Sequence, residues 1–217
     1  MKKRILDVIL LIIGIVIIVT IILIATKYIG NFKNEKEMTN IVEQIKSTNV
    51  ELPNNNEIDI ETNNTEAEVE IDGYKVLGII RIPKIDLEYP ILNETNKTSM
   101  KKSITKFWGP NLNTVGNLTL AGHNNKDGTM FGKVKKLNIG DIIEIEDLYK
   151  NTVKYEIFDM YVINPNDVSC VESVDENAKE VTLITCTNGN KNRLITKARK
   201  IYKWGRKTWK RTEKPLL

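Results

Sequence analysis

Histidine and cysteine are nearly absent from this chain: one His and two Cys in 217 residues. Structural zinc sites take four ligands, and these three side chains are too few to build one. No internal repeat is present. Beyond about residue 73 helical periodicity is scarce, and only 130–137 suggests a helical turn. The chain has one long apolar run and no second one near its end.

That run, 5–26, is nearly all Ile, Leu and Val, with Asp7 its only charge. About 20 apolar residues are enough for a helix to cross a hydrocarbon core of roughly 30 Å. Lys2, Lys3 and Arg4 precede it, so the positive-inside rule predicts a cytoplasmic N-terminus and an external remainder. A cleaved signal peptide would have a shorter core and a small-x-small site; here Lys27, Tyr28 and Ile29 follow Ala25 and Thr26. A buried core helix is disfavoured because the run is apolar on every face.

The net charge of +4 conceals two opposed segments. Residues 27–72 carry four Lys against eleven acids, a net of −7, whereas 203–217 carry six Lys or Arg against one Glu, a net of +5. The basic tail reads as solvated, and an external location makes nucleic acid an unsuitable partner. Segment 27–72 reads as a polar stalk. Ile41, Val42 and Ile45 form only a weak helical stripe within it, a partner-binding helix being the alternative, and Pro53 and three Asn follow.

The folded region is expected to begin at Gly73. Strand patterns occupy 76–82, 87–92, 117–121, 141–146, 153–163, 180–186 and 193–202, separated by Gly, Pro and Asn turns. Seven or so short strands of this kind predict a mostly β sandwich or closed barrel, and about 130 residues suffice for one core.

Three residues stand at strand ends. Cys186 closes Thr182-Leu183-Ile184-Thr185-Cys186, and Thr187-Asn188-Gly189-Asn190 turns the chain directly after it. A mid-strand Cys is usually plain core, but a Cys at the mouth of a strand can meet a substrate. His123 follows Thr119-Leu120-Ala121-Gly122; imidazole suits proton transfer near neutral pH, although a lone loop His is commonly just solvated. Arg193 lies seven residues after Cys186 and opens the next strand. Singly each is weak evidence. Jointly they supply a thiolate nucleophile, its proton partner and a permanent cation for an oxyanion. The bland alternative for the cysteines is a Cys170–Cys186 disulfide, which an external compartment permits.

Thr182-Leu183-Ile184-Thr185-Cys186, Arg193 and Gly122-His123 resemble the motifs of the sortases of Gram-positive bacteria, and Ile82-Pro83-Lys84-Ile85-Asp86-Leu87 resembles their early strand. The resemblance implies a closed eight-stranded β-barrel with short helices, behind an N-terminal transmembrane helix. It divides the chain into a cytoplasmic end (1–4), a single-pass anchor in the plasma membrane (5–26), a stalk (27–72), an extracellular catalytic barrel (73–204) and a basic tail (205–217). It implies a cysteine transpeptidase of cell-wall anchoring. Cys186 attacks the Thr–Gly bond of a Leu-Pro-x-Thr-Gly-like sorting signal, His123 protonates the leaving amine and Arg193 steadies the oxyanion. Thr185 supports the oxyanion or the substrate. A peptidoglycan-precursor amine, or a pilin Lys, resolves the thioester. Rival readings are a thiol protease that only hydrolyses peptides, and a non-catalytic, disulfide-bonded envelope-binding module.

Subclass signals conflict. The segment from Gly122 to Gly132 and Tyr155-Glu156-Ile157-Phe158 are class B-like, but 164–180 is too short for that class's helical insertion and fits classes A and D. The missing Asp-Pro-aromatic lid motif and missing second apolar span argue against class C. In some class A members acids before the Cys strand bind calcium. Here Asp167, Glu172, Asp175 and Glu176 read as a solvated acidic loop, so no metal or other cofactor is expected.

Overall fold

The computed structural model describes residues 2–47 and 67–202. A single helix, α1 (Lys2–Ser47), runs unbroken through the apolar segment and on into the polar one. Among the described residues none buries its apolar half: Ile9 to Ile24 are 47–67 % exposed wherever Ile, Leu or Val occurs. That exposure sets it apart from a core helix and suits a lipid environment.

The stalk expected over 27–72 needs correcting. Up to Ser47 it is helix, and Met38, Ile41, Val42 and Ile45 are all buried in the main core. Their spacing of three, one and three puts them on one narrow face. Four fully buried apolar side chains, each contributing about 1.5–3 kcal/mol, outweigh the polar composition of the other faces. Polar ties flank the stripe. Asn34 Nδ2 donates to Lys102 O at 3.0 Å, and Lys102 Nζ pairs with Glu37 at 2.8 Å. Lys46 pairs with Glu88 at 3.1 Å, and Lys150 Nζ donates to Ile45 O. Residues 48–66 of the expected stalk and all of the expected tail (205–217) lie outside the described residues.

The sheet starts earlier than residue 73. β1 (Val69–Ile71) and β2 (Tyr74–Ile82) form a hairpin. Its turn is Asp72-Gly73, both at positive φ (52° and 80°), the backbone twist that a two-residue hairpin requires. Pro83 opens a 3-10 turn, Asp86 closes it in the left-handed region, and β3 (Leu87–Leu92) returns antiparallel to β2. The short helix α2 (Ser99–Lys102) leads into β4 (Ile104–Trp108), parallel to β3. Then come β5 (Gly116–Ala121), β6 (Ile142–Asp147), β7 (Thr152–Ile163), β8 (Lys179–Thr187) and β9 (Asn192–Lys200).

The strand order is β1-β2-β3-β4-β5-β8-β9-β7-β6, and β6 pairs back onto β2. Strands β2 to β9 therefore close an eight-stranded barrel, with β1 as one extra strand, and closure removes the exposed edges an open sheet would present. β6 shows why the strands alternate: Ile143 and Ile145 face the core, while Glu144 and Glu146 pair outward with Lys154 and Arg81 at 2.7 Å each. The expected helical turn near 130–137 is a 3-10 turn at Phe131–Lys136.

Candidate active site

β8 carries the site. Val181 and Leu183 point into the core, so Glu180, Thr182, Ile184 and Cys186 share the opposite face. In the antiparallel register with β9 these four stand opposite Arg199, Lys197, Ile195 and Arg193. Directly opposed residues have Cβ atoms about 4.5–5.5 Å apart. Cys186 and Arg193 are thus cross-strand neighbours at the open end of this ladder, beside the turn where Asn188, Gly189 and Asn190 all have positive φ. Both side chains are half-buried. Arg193 Nη1 donates to Asn190 O and Asn192 O at 3.2 Å, which holds the guanidinium against its own turn.

On its other side β8 pairs in parallel with β5, ending at Ala121 opposite Ile184. His123 comes two residues later, and hydrogen bonds on both sides of it fasten this stretch to the end of β8. Gly122 N–H donates to Ile184 O at 3.2 Å, and the Thr185 hydroxyl donates to Gly122 O at 2.8 Å. The Asn124 side-chain amide donates to the carbonyl of Cys186 itself at 2.7 Å. The His123 loop and the β8–β9 turn, more than 60 positions apart in the chain, thus converge at one sheet end. Thr185 is buried, and its hydroxyl is committed to the His loop.

The loop that carries His123 is tightly made. Phe131 N–H donates to His123 O at 3.0 Å, and Asn124 bridges to Met130. Gly122 has no room for a side chain: a Cβ there would lie 2.7 Å from both Ile104 Cδ1 and Phe131 Cδ2. Met130 sits at φ 49°, ψ −125°, a sparsely populated conformation for a non-glycine residue that costs about 1–3 kcal/mol. Its amide donates to the buried Tyr89 hydroxyl at 3.0 Å. Asp127 lies at the loop's tip. Burial alone would raise its pKa, but hydrogen bonds from Thr129 and Asn31 hold it below the ordinary value.

The closed end of the same ladder differs. Glu180 is 2 % exposed and takes a two-pronged contact from Arg199. Loop 164–178 folds over this end: Asn117 Nδ2 reaches Cys170 O, Val171 O and Glu172 O at 2.9–3.3 Å, and Lys197 Nζ donates to Glu172 O at 2.7 Å. Both cysteines are free thiols, Cys170 buried and Cys186 half-buried, so they form no bridge. Burial pushes the Cys170 thiol up, against the pull of nearby Lys197 and with a push from Asp167, so it holds its proton. In the acidic loop Asp167 and Asp175 accept from the amides of Ser169 and Asn177, capping their own turns. No group of three or more His, Cys, Asp or Glu is arranged to hold a metal among the described residues.

Sequence reasoning singled out Cys186, His123, Arg193 and Thr185 and passed over Asn124. The available signal was an Asn directly after Gly-His, a residue whose short amide reaches backbone across a turn.

Comparison with known proteins agrees with this geometry. A sortase-domain family model matches residues 80–201, more than half of the chain. Sortase A of Bacillus anthracis is 27% identical over 177 residues, covering 79% of this chain and 83% of that protein. Among solved structures, a Clostridium perfringens sortase D5 transpeptidase superposes with a TM-score of 0.53 at 30% identity, over 58% of this chain and 79% of that one. Sortase C-1 of Actinomyces oris gives 0.54 at 29% identity, over 58% and 74%. These relatives carry the class letters A, D and C, and no single class stands out among them. The barrel, its strand-end thiol and these likenesses make the chain a member of the sortase family of cysteine transpeptidases.

Proposed function

We propose that Cys186, His123 and Arg193 carry the transpeptidation, on a Leu-Pro-x-Thr-Gly-like sorting signal cleaved between Thr and Gly. The observation that supports this most is the pairing of Cys186 with Arg193 across two strands, with the His123 loop bonded to the Cys186 carbonyl. The Cys186 thiolate adds to the Thr carbonyl carbon. The oxyanion that forms lies beside a guanidinium that never loses its proton. As the C–N bond breaks, the His123 imidazolium gives its proton to the departing Gly nitrogen, leaving a thioester and a neutral imidazole. An incoming amine, from a peptidoglycan precursor or another cell-wall acceptor, then attacks the thioester. His123 takes the amine's proton, and Cys186 leaves as thiolate. Thiol, imidazole and guanidinium together fill every role, so the chemistry calls for no cofactor.

The same reading makes α1 a single-pass plasma-membrane anchor with the barrel outside, as the N-terminal Lys2-Lys3-Arg4 favours. Asn31 Nδ2 donates to Asp127 Oδ2 at 2.7 Å. Residue 31 is five residues past the apolar run, about 7–8 Å along the helix axis at 1.5 Å per residue. The tip of the His123 loop therefore stands near headgroup level, within reach of a substrate that emerges from the bilayer.

The test is product analysis with the full-length chain in detergent, a library of sorting-signal peptides and an added amine. Peptide truncated after Thr and joined to the amine is expected, and Cys186→Ala should give none. If only free acid formed at saturating amine, the protein would be a hydrolase.

A further inference from the structure

The catalytic-histidine loop is tied to α1 by polar contacts across gaps in the packing. The buried stripe of α1 begins at Met38 and lies on the barrel beyond the loop. Where α1 passes the loop itself, two cavities open, of about 440 and 370 Å³. Glu35, Thr129 and Met130 line both of them. Beside them runs a chain of two hydrogen bonds. Met130 N–H donates to the Tyr89 hydroxyl at 3.0 Å, and that hydroxyl donates to Glu35 Oε2 at 2.5 Å. Tyr89 is 6 % exposed and stands on β3, a rigid barrel strand.

We propose that Glu35 and Tyr89 are positioning residues, a strap through which α1 sets the conformation of the His123 loop and hence the placing of the imidazole. This rests on reading His123 as the proton-transfer group. The strap ends on Met130, whose backbone conformation is disfavoured and needs an outside hold. From Met130 the path to the histidine is short: Met130 bridges to Asn124, and the next amide, Phe131 N–H, binds His123 O. A phenol that accepts one bond while donating another to a carboxylate is polarised by it, and each bond strengthens the other. Burial raises the Glu35 pKa, the Tyr89 bond opposes that rise and Asp127 adds to it. The carboxyl group thus lies where a fixed donor matters.

The experiment uses the full-length chain in detergent and the variants Tyr89→Phe, Glu35→Ala and Glu35→Gln. Readouts are kcat and KM for a processed sorting-signal peptide, and the ring resonances of the single histidine by NMR. Tyr89→Phe and Glu35→Ala are expected to lower kcat about tenfold at unchanged KM and to move the His123 ring resonances. Glu35→Gln, which keeps an acceptor oxygen, should restore most of the rate. Glu35 is half-buried and lies outside the apolar core, so its variants still decide the matter if Tyr89→Phe fails to fold. Folded variants with wild-type kcat and unmoved His123 resonances overturn the strap. Loss of rate in Glu35→Ala that Glu35→Gln does not restore also overturns it. His123→Ala is the control: if that variant kept full activity, the catalytic assignment would fall, whatever the strap variants do.

Discussion

Each end of the β8–β9 ladder is served by one cysteine and one arginine, and the two ends have different fates. At the closed end Arg199 is locked onto buried Glu180, and Cys170 is capped by its own loop. At the open end Cys186 and Arg193 face each other half-exposed, and among the described residues Arg193 is held by the carbonyls of its own turn. The residue types match; solvent access and satisfied partners do not. On the proposed reading, a thiol and a cation serve chemistry where a strand pair runs out beside a turn, and stay structure where a loop covers them.

Swapping alanine into the two thiols should break the symmetry most sharply. Cys186→Ala is expected to cost on the order of 10⁴-fold or more in peptide turnover with the fold intact by circular dichroism. Cys170→Ala should leave kcat near wild type and cost about 1 kcal/mol of stability in a denaturant melt. The arginines should divide the same way, between activity at the open end and stability at the closed one. Arg193→Lys replaces a planar fork with a point charge and should lower kcat by roughly 10²-fold at unchanged stability. Arg199→Ala strands a buried carboxylate and should destabilise the protein by about 3–5 kcal/mol, with activity per folded molecule retained.

A middle-sized effect should come from the His123 loop beside the open end. Gly122→Ala forces a methyl group against Ile104 and Phe131, which overpacks the core by about 1–3 kcal/mol. It also displaces the backbone that precedes His123, so a thermal melt and kcat should fall together. The smallest effect is in pH. The Cys170 thiol is raised above its ordinary value of 9.0 by burial, so the neutral form is the one the fold favours. Its contribution is complete below the unfolded pKa and is lost as pH rises through the folded one. Lys197, lowered by burial, runs the opposite way and gains stability as pH rises from its folded pKa towards 10.5. The difference in melting temperature between wild type and Cys170→Ala isolates the thiol, and it should shrink as pH is raised above 9.0.

Most of the barrel was legible because its strands alternate or are continuously apolar between turn residues; β3 was expected at 87–92 and is found there. β4 was not, since Ile104-Thr-Lys-Phe-Trp is short and buries only its first residues. β1 was hidden among acidic residues, although Asp72-Gly73 is a hairpin signal. The docked half of α1 was underread because four apolar residues in a charged segment show their worth only when a barrel wall is there to cover them. At the site, Cys186, His123 and Arg193 were visible as reactive types at strand ends. Asn124, Tyr89 and Glu35 were not, because their partners lie 62, 41 and 54 positions away in the chain and a hydrogen bond over such a separation leaves no local pattern.

The most direct test of the central claim, that the open end of the ladder does the chemistry, is to map the acylated residue. The full-length protein, quenched in acid during turnover of a sorting-signal peptide, would be digested and its thioester located by mass spectrometry. The account predicts the acyl group on the fragment containing Cys186 and none on the fragment containing Cys170. An acyl group on Cys170, or steady product formation with neither cysteine ever acylated, would contradict it.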